Sequence, residues 1–315
     1  MEQKKPISVI FDTDIGGDCD DAGALALLYH LCDLGEAQLL AVTHCYSNPF
    51  KAGCIDAINT YHGREVPIGV NYSIEKQTGR YDANLCREFP NKYPENTYGT
   101  DKGAPDTLTV LRRTLAEAED NSITLVIVGH FTSAAMLLQS TPDEISPLSG
   151  KELIERKISR TVAMGGHFQP TTSFPSIIPE YNIRNDIPSA KLVCDEWPGE
   201  LVLSGFEIGL QCISMKDYAF KAPADDPVRR AYECHPEGCK LGRESWDHSA
   251  VLEAVRPGMY WNYHARGRIR ISVDGVSSWE AEAEGKQTYL LPKVDFDEIR
   301  SIIDRLVCTH ISSGK

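Results

Sequence analysis

Short apolar runs alternate with helix-like segments along the chain. Residues 7–12 form an apolar run that ends in a carboxylate, and residues 20–34 have the acidic start and apolar content that are typical of a helix. The alternation recurs, with strands predicted at 38–42, 124–128, 161–164 and 201–203 and helices at 51–62 and 133–139. This pattern predicts an α/β fold with an open, mostly parallel sheet and helices on both faces.

The positions directly after the predicted strands are where chemistry is expected. In an open parallel sheet, ligands bind beyond the carboxyl ends of the strands. The polar or glycine residues at these positions are Asp12, Asp14, Asn48, His130, Thr132, Gly165 and Gly166. Two longer segments, 72–105 and 167–179, are rich in Pro, Thr, Asn and Ser, which predicts lids or substrate loops.

Size and charge narrow the class of protein. A chain of 315 residues with 42% hydrophobic content can bury one large core, so a single domain over residues 1–315 is expected. The net charge of −13 opposes binding to nucleic acid or to an anionic membrane and favours a small-molecule partner. No apolar stretch has the length of a signal or a membrane span, which predicts a cytoplasmic protein.

The ten cysteines are scattered along the chain, a distribution that favours reduced thiols over a disulfide framework. Cys234 and Cys239 flank His235, but their spacing is poor for a zinc site.

An acidic loop follows the first predicted strand. Residues 12–21 contain the five carboxylates of Asp12, Asp14, Asp18, Asp20 and Asp21. One or two aspartates can serve as helix caps, but five buried together repel one another unless a cation lies among them. Oxygen ligands without a histidine or cysteine cluster indicate a hard divalent ion, and calcium accepts several carboxylates more readily than magnesium does.

Several ordered motifs resemble those of the inosine-uridine-preferring nucleoside hydrolase family. The hallmark is Asp12-Thr13-Asp14-Ile15-Gly16 followed by Asp20-Asp21-Ala22. The later motifs are Ser47-Asn48, Gly129-His130-Phe131-Thr132, Met164-Gly165-Gly166, Glu180-Tyr181-Asn182 with Asp186, and Ser245-Trp246-Asp247. The resemblance implies hydrolysis of the N-glycosidic bond of a ribonucleoside or a similar ribosyl compound, and a homodimer or homotetramer.

The resemblance also implies a role for each matching residue. Ca²⁺ would be held by Asp14, Asp21, the backbone carbonyl of Thr132 and Asp247, and Asp14 would take a proton from the bound water. The ribose would be bound by Asp20, Asn48, Met164, Glu180 and Asn182, with Asp247 assisting. Carboxylates can stabilise the oxocarbenium-like sugar of the transition state, and a metal lowers the pKa of the attacking water.

The chain departs from the family pattern in the acidic loop. Ile15 replaces the proline of the hallmark, and the loop from Gly17 to Cys19 is longer. Asp18 is therefore a candidate to replace a neighbouring aspartate as a metal ligand. The asparagine that often precedes the Glu-x-Asn motif is not evident between residues 171 and 179.

A second departure concerns the proton donor. Trp246 occupies the position of the histidine that protonates the departing base in well-studied members. An indole cannot donate the proton in that way, but it can stack on a planar leaving group. His248 or His130 is an alternative donor, and His44 and His167 also lie on or near the strand-end loops.

Two other functions remain open from the sequence. Asp12-Thr13-Asp14 also satisfies the opening of a magnesium-dependent, haloacid-dehalogenase-like phosphatase, although Gly16 departs from that pattern. The chain can alternatively be a non-catalytic nucleoside- or ribose-binding homologue that keeps the pocket without turnover.

Overall fold

A mostly parallel sheet with helices on both faces organises the chain. The structure, a computed structural model, describes residues 5–47, 50–74, 93, 97–98, 103–235 and 241–308. The strands are β1 (Ile7–Thr13), β2 (Ala37–His44), β3 (Ile68–Val70), β4 (Ile123–Ile127), β5 (Ile158–Met164), β6 (Leu201–Ser204), β7 (Ile213–Ser214), β8 (Arg243–Glu244), β9 (Trp261–Tyr263), β10 (Gly267–Ile271), β11 (Ser277–Ala281) and β12 (Gln287–Pro292).

The helices connect these strands in the alternating order that the sequence predicts. They are α1 (Asp20–Asp33), α2 (Lys51–Tyr61), α3 (Thr107–Glu117), α4 (Thr132–Gln139), α5 (Gly150–Lys157), α6 (Tyr181–Arg184), α7 (Ile187–Glu196), α8 (Phe206–Leu210), α9 (Tyr218–Lys221), α10 (Pro227–Cys234), α11 (Trp246–Val255) and α12 (Phe296–Cys308). The five strands and three helices predicted from the sequence are confirmed, with their ends shifted by a few residues.

The sheet order places β1 in the interior of the sheet, between β4 and β2. Within the described residues, the main sheet has ten strands in the order β11-β10-β12-β6-β5-β4-β1-β2-β3, and β9 pairs with β12. The pairs from β12 through β3 are parallel, whereas β9, β10 and β11 form an antiparallel extension. The chain runs from β1 to β2 and β3 on one side and then returns to β4 on the other. This reversal next to β1 creates the kind of crevice in which open α/β sheets bind ligands.

Alternate residues of the central strand enter two separate core layers. Val9 and Phe11 pack with the layer that holds α1, α2, α11 and α12, whereas Ile10 packs with the layer that holds α3, α4, α5 and α7. Because side chains of a strand alternate between faces, a fully buried strand must be apolar on both. This explains the continuous apolar run that marks β1 in the sequence.

The structure describes only some of the segments for which the sequence predicts a role. Asn48 and most of the segment 72–105 lie outside the described residues. The segment 167–179 is described, and it forms an irregular connection between β5 and α6. None of the helices in the described ranges has the length and apolar character required to cross a bilayer.

Replacement of Ile10 by alanine tests the two-sided core. Ile10 is fully buried, and we expect Ile10→Ala to lower the free energy of unfolding by about 2–5 kcal/mol through lost contacts and a residual cavity. Ile213 on β7 is 45% exposed, and for Ile213→Ala we expect a change within about 0.5 kcal/mol. Urea denaturation of both variants measures the difference, and equal destabilisation would contradict the described packing.

Candidate active site

A cavity of about 460 Å³ opens where the carboxyl ends of the central strands meet the N-termini of α1 and α11. It collects side chains from distant parts of the chain. Its lining includes Asp14, Asp18, Asp20, Asp21, Val128, Met164, Phe174, Ile178, Glu180, Tyr181, Asn182, Arg184, Phe206, His235, Arg243, Trp246 and Asp247. Most of the site residues predicted from the sequence therefore lie in one place.

Three buried carboxylates meet at one end of the cavity. One oxygen each from Asp20, Asp21 and Asp247 lies within 4.8 Å of the other two. Asp20 and Asp21 belong to the first turn of α1, and Asp247 belongs to the first turn of α11. The packing of α1 against α11 brings these three acidic side chains together. The positive ends of both helix dipoles lie at the cluster and stabilise negative charge there.

This cluster carries a strong electrostatic penalty. The three side chains are 3–4% exposed, and burial raises the pKa of each carboxyl well above its usual value. Repulsion from neighbouring carboxylates, including Asp14, adds to the effect. A divalent cation relieves both causes, and oxygen donors alone fit a hard ion. The chemistry of these residues thus fits a metal site.

Asp14 lies beside the cluster and faces a histidine. The distance from Asp14 Oδ2 to His130 Nε2 is 3.4 Å. The His130 ring stacks on Tyr46, with 5.4 Å between ring centroids, and lies near the ring of Tyr181. His130 is therefore placed to orient the Asp14 carboxylate.

The loop that carries Asp14 is fixed by contacts that replace the missing proline. Lys51 is fully buried, and its Nζ donates a hydrogen bond to the Ile15 carbonyl at 2.8 Å. The Thr13 hydroxyl donates to the Asp21 carboxylate and accepts a hydrogen bond from the Ile15 N–H at 3.0 Å. The sequence analysis does not predict this role of Lys51. The one sequence signal for it is the position of a charged residue in the first turn of a helix that has a buried face.

Asp18 has a different partner from the other acidic residues. Its carboxylate accepts hydrogen bonds from Nε and Nη2 of Arg243, with Nε–Oδ1 at 2.9 Å, and its Oδ1 lies 3.7 Å from His235 Nε2. Burial alone would raise the pKa of Asp18, but the hydrogen bonds and charge of Arg243 lower it. Asp18 is thereby held in an ion pair with Arg243 and is not one of the three clustered carboxylates, an arrangement that does not support its replacing a neighbour as metal ligand.

Hydrogen bonds hold the part of the cavity wall that Glu180 and Asn182 form. The Glu180 carboxylate accepts from the N–H groups of Gly166, Asn182 and Ile183, although burial still raises its pKa to about 7. Asn182 Nδ2 donates to the carbonyl oxygens of Val128, at 2.8 Å, and Met164, at 3.3 Å. These bonds tie the start of α6 to the ends of β4 and β5.

Aromatic side chains form a further wall. Trp246 Nε1 donates to the Phe206 carbonyl at 2.9 Å, and the two rings are stacked with centroids 5.6 Å apart. Phe174, from the segment 167–179, meets the Phe206 ring edge-on at 5.0 Å. The guanidinium of Arg243 lies over the Trp246 ring, 4.9 Å from its centroid. A planar group that enters the cavity would meet this aromatic wall.

His248 and Thr132, to which the sequence analysis gives site roles, do not line the cavity. His248 is fully buried between α11 and α1, where a Cβ on Gly23 would lie 2.5 Å from its Nε2. Burial lowers the pKa of His248 to about 3, which favours the neutral imidazole and does not support its expected role as proton donor. Successive helix residues point about 100° apart, so Asp247 and its neighbour face different ways. Thr132 begins α4, and its hydroxyl donates to the Asp186 carboxylate.

Other sequence candidates also have structural partners. Burial and the charge of Lys51 lower the pKa of His44 to about 3. His167 contacts the carbonyl of Gln169 and accepts the N–H of Ile178, which shapes its own loop. Asp12, the nucleophile in the phosphatase alternative, is 1% exposed and accepts a hydrogen bond from Thr43 at 2.5 Å. It is not part of the cavity lining, so that alternative is unsupported.

Comparisons with known proteins bear on the family and the fold of the chain. The family described as inosine-uridine preferring nucleoside hydrolase matches residues 9–298. No curated protein sequence matches the chain significantly. Among solved structures, a purine-preferring ribonucleoside hydrolase from Gardnerella vaginalis is 15% identical with a TM-score of 0.73, covering 98% of this chain and 100% of that chain.

Two further solved structures are similar. A plant nucleoside hydrolase is 17% identical with a TM-score of 0.69, covering 96% of this chain and 99% of that chain. The type III effector protein XopQ, solved with adenosine diphosphate ribose, is 13% identical with a TM-score of 0.71, covering 98% of this chain and 95% of that chain. These likenesses confirm the α/β fold class predicted from the sequence.

The pH dependence of stability tests the carboxylate cluster. The folded pKa values of Asp20, Asp21 and Asp247 are raised, so these three groups bind more protons in the metal-free folded chain than in the unfolded chain, and their contribution to stability falls as pH rises from about 4. A divalent ion that binds the ionised cluster should offset this loss, by about 2.7 kcal/mol at a hundredfold excess over its Kd. Urea denaturation between pH 5 and 8, with EDTA or CaCl₂, measures both effects. Stability that is the same in EDTA and in CaCl₂ at every pH in this range would contradict this account.

Replacement of Gly129 by alanine tests the packing behind Asp14. A Cβ at Gly129 would lie 2.6 Å from the backbone nitrogen of Asp14, so Gly129→Ala must displace the acidic loop. We expect a loss of about 1–3 kcal/mol in stability and clearly weaker Ca²⁺ binding by calorimetry. Gly199→Ala is the control because its Cβ would meet nothing closer than 3.7 Å. Unchanged Ca²⁺ affinity in Gly129→Ala would refute the described close approach.

Proposed function

We infer the reaction of this chain from its family: the chain belongs to the inosine-uridine preferring nucleoside hydrolases. It is therefore a glycosidase that acts on N-glycosidic bonds, the family is metal-dependent, and a nucleoside is its class of substrate. We propose that it hydrolyses a ribonucleoside or a similar ribosyl compound to ribose and a free base in a calcium-dependent reaction. The observation that carries this proposal is the buried cluster of Asp20, Asp21 and Asp247 in the same cavity as Asp14, Glu180 and Asn182.

The proposed metal ligands are Asp14, Asp21, Asp247 and the backbone carbonyl of Thr132. Calcium is proposed because the donors are oxygens and the site is rich in carboxylates, which suits the larger and more adaptable ion. When bound, the ion would lower the pKa of a coordinated water and orient it towards the sugar. The mutual repulsion of the clustered carboxylates supports this assignment, because a bound cation would relieve that repulsion.

Asp14 is the proposed general base. Its carboxylate lies next to the cluster and 3.4 Å from His130, whose ring is held by Tyr46. A carboxylate in this position can accept a proton from the attacking water as the water oxygen approaches the anomeric carbon. His130 would then act as a positioning residue for Asp14.

The proposed ribose-binding residues lie around the same cavity. Asp20, Met164, Glu180, Asn182 and Asp247 line it, and Asn48, which lies outside the described residues, completes the proposed set. Their polar groups would bind the sugar hydroxyls, and the Met164 side chain would contact the apolar edge of the ring. Hydroxyl contacts that strengthen as the sugar becomes oxocarbenium-like lower the barrier.

The proposed position of the base is against the aromatic wall. The Trp246 ring stacks on the Phe206 ring, and Phe174, from the segment 167–179, contacts Phe206 edge-on. A planar base in contact with these rings would be held by stacking, as the replacement of the family histidine by Trp246 suggests.

We also propose a homodimer or homotetramer, on family resemblance, and a reducing compartment such as the cytoplasm. The ten cysteines are scattered along the chain rather than spaced as a disulfide framework, which supports the second proposal.

Substitution of Asp14 tests the proposed reaction. With CaCl₂ present, we expect the protein to release ribose from at least one of inosine, guanosine, adenosine, uridine and cytidine. Asp14→Asn should lower kcat about 10²–10⁴-fold because the amide cannot accept the proton of water. Asp274→Asn, on an exposed turn, is the matched control and should keep full activity.

Two results would contradict the proposal. Full activity of Asp14→Asn would remove its role as a base. Ribonucleoside binding by the unmodified protein without ribose release would favour the non-catalytic alternative.

A further inference from the structure

The proposed reaction requires a proton for the departing base, and the indole of Trp246 cannot supply it. Of the histidines in the ranges that the structure describes, His235 is the one that lines the cavity. The histidines considered from the sequence, at positions 44, 130, 167 and 248, do not line it. The imidazole of His235 is thus the nearest candidate for an acid at the leaving group.

The surroundings of His235 connect it to the aromatic wall. Its side chain is 12% exposed, directly after the end of α10, and its Nε2 lies 3.7 Å from Asp18 Oδ1. Asp18 is held by Arg243, whose guanidinium lies over the Trp246 ring. The four residues therefore form a chain of contacts from His235 to the ring proposed to lie against the base.

We propose that His235 is the proton donor to the leaving base and that Asp18 is its positioning residue. This inference rests on the proposed function. A carboxylate that faces one ring nitrogen orients the imidazole and stabilises its protonated form, in which both ring nitrogens carry a proton. Arg243 keeps Asp18 ionised and fixes the direction of its carboxylate. His235, Asp18 and Arg243 therefore have different roles.

Cleavage of the C1′–N bond involves one proton transfer to the base and one from the water. The Nδ1 proton of the His235 imidazolium passes to a ring nitrogen or oxygen of the base as the C1′–N bond breaks and its electron pair moves to the base. The water oxygen forms a new bond to C1′, and its proton passes to Asp14. His235 then regains a proton from solvent and Asp14 releases one, so the net change is the addition of one water.

The test uses two leaving groups. 4-Nitrophenyl β-D-ribofuranoside releases a stable phenolate that needs no proton, whereas a nucleoside base does need one. We expect His235→Gln to lower kcat for the best-cleaved nucleoside about 100-fold or more and to leave kcat for the aryl riboside nearly unchanged. Asp18→Asn should give the same split with a smaller loss. His62→Gln, a histidine after α2 that does not line the cavity, is the control and should change neither rate.

Each other result overturns the proposal. Equal losses for both substrates in His235→Gln and Asp18→Asn would assign a purely structural role to the pair. No loss for either substrate would assign the proton to another group. If the unmodified protein cleaves neither substrate, the proposed function itself fails, a result that is distinct from a failure of His235 alone. Thermal denaturation and circular dichroism confirm that each variant is folded before its rates are compared.

Discussion

Repulsion among buried carboxylates is the constraint on which this structure depends. Asp20, Asp21 and Asp247 are brought within 4.8 Å of one another, with Asp14 beside them, in a site that removes most of their contact with water. The N-terminal ends of α1 and α11 offset part of the cost, since they direct positive dipole ends at the cluster. A bound cation would offset the repulsion that remains, so we expect folding and metal binding to be coupled in this chain.

The rest of the fold holds this cluster in a defined geometry. The reversal of strand order next to β1 opens the crevice, and the packing of α11 on α1 brings Asp247 to the acidic loop. Buried Lys51 fixes the Ile15 carbonyl, where the family hallmark relies on the rigidity of proline. The hydrogen-bonded start of α6 fixes another part of the cavity wall. Rigid elements on all sides are what a site that stabilises a charged transition state requires.

Local patterns explain what the sequence could predict. The apolar runs of β1, β4 and β5 mark buried strands, and the carboxylates after β1 mark the site, because each signal lies within a few adjacent residues. The pairing of Asp18 with Arg243 joins residues far apart in the chain, so no local pattern indicates it. The expected role of His248 rests on its proximity to Asp247 in sequence, which does not place the two side chains on the same side of α11. His235 was considered only as a poor zinc ligand, since its position on the cavity wall depends on tertiary packing.

A crystal structure of the protein with bound Ca²⁺, with the ion located by its anomalous scattering, tests the central claim most directly. This account predicts one ion in the cavity, with oxygen ligands from Asp14, Asp21 and Asp247. An acidic cluster that binds no ion at neutral pH in saturating Ca²⁺, or an ion bound only elsewhere on the protein, would contradict it.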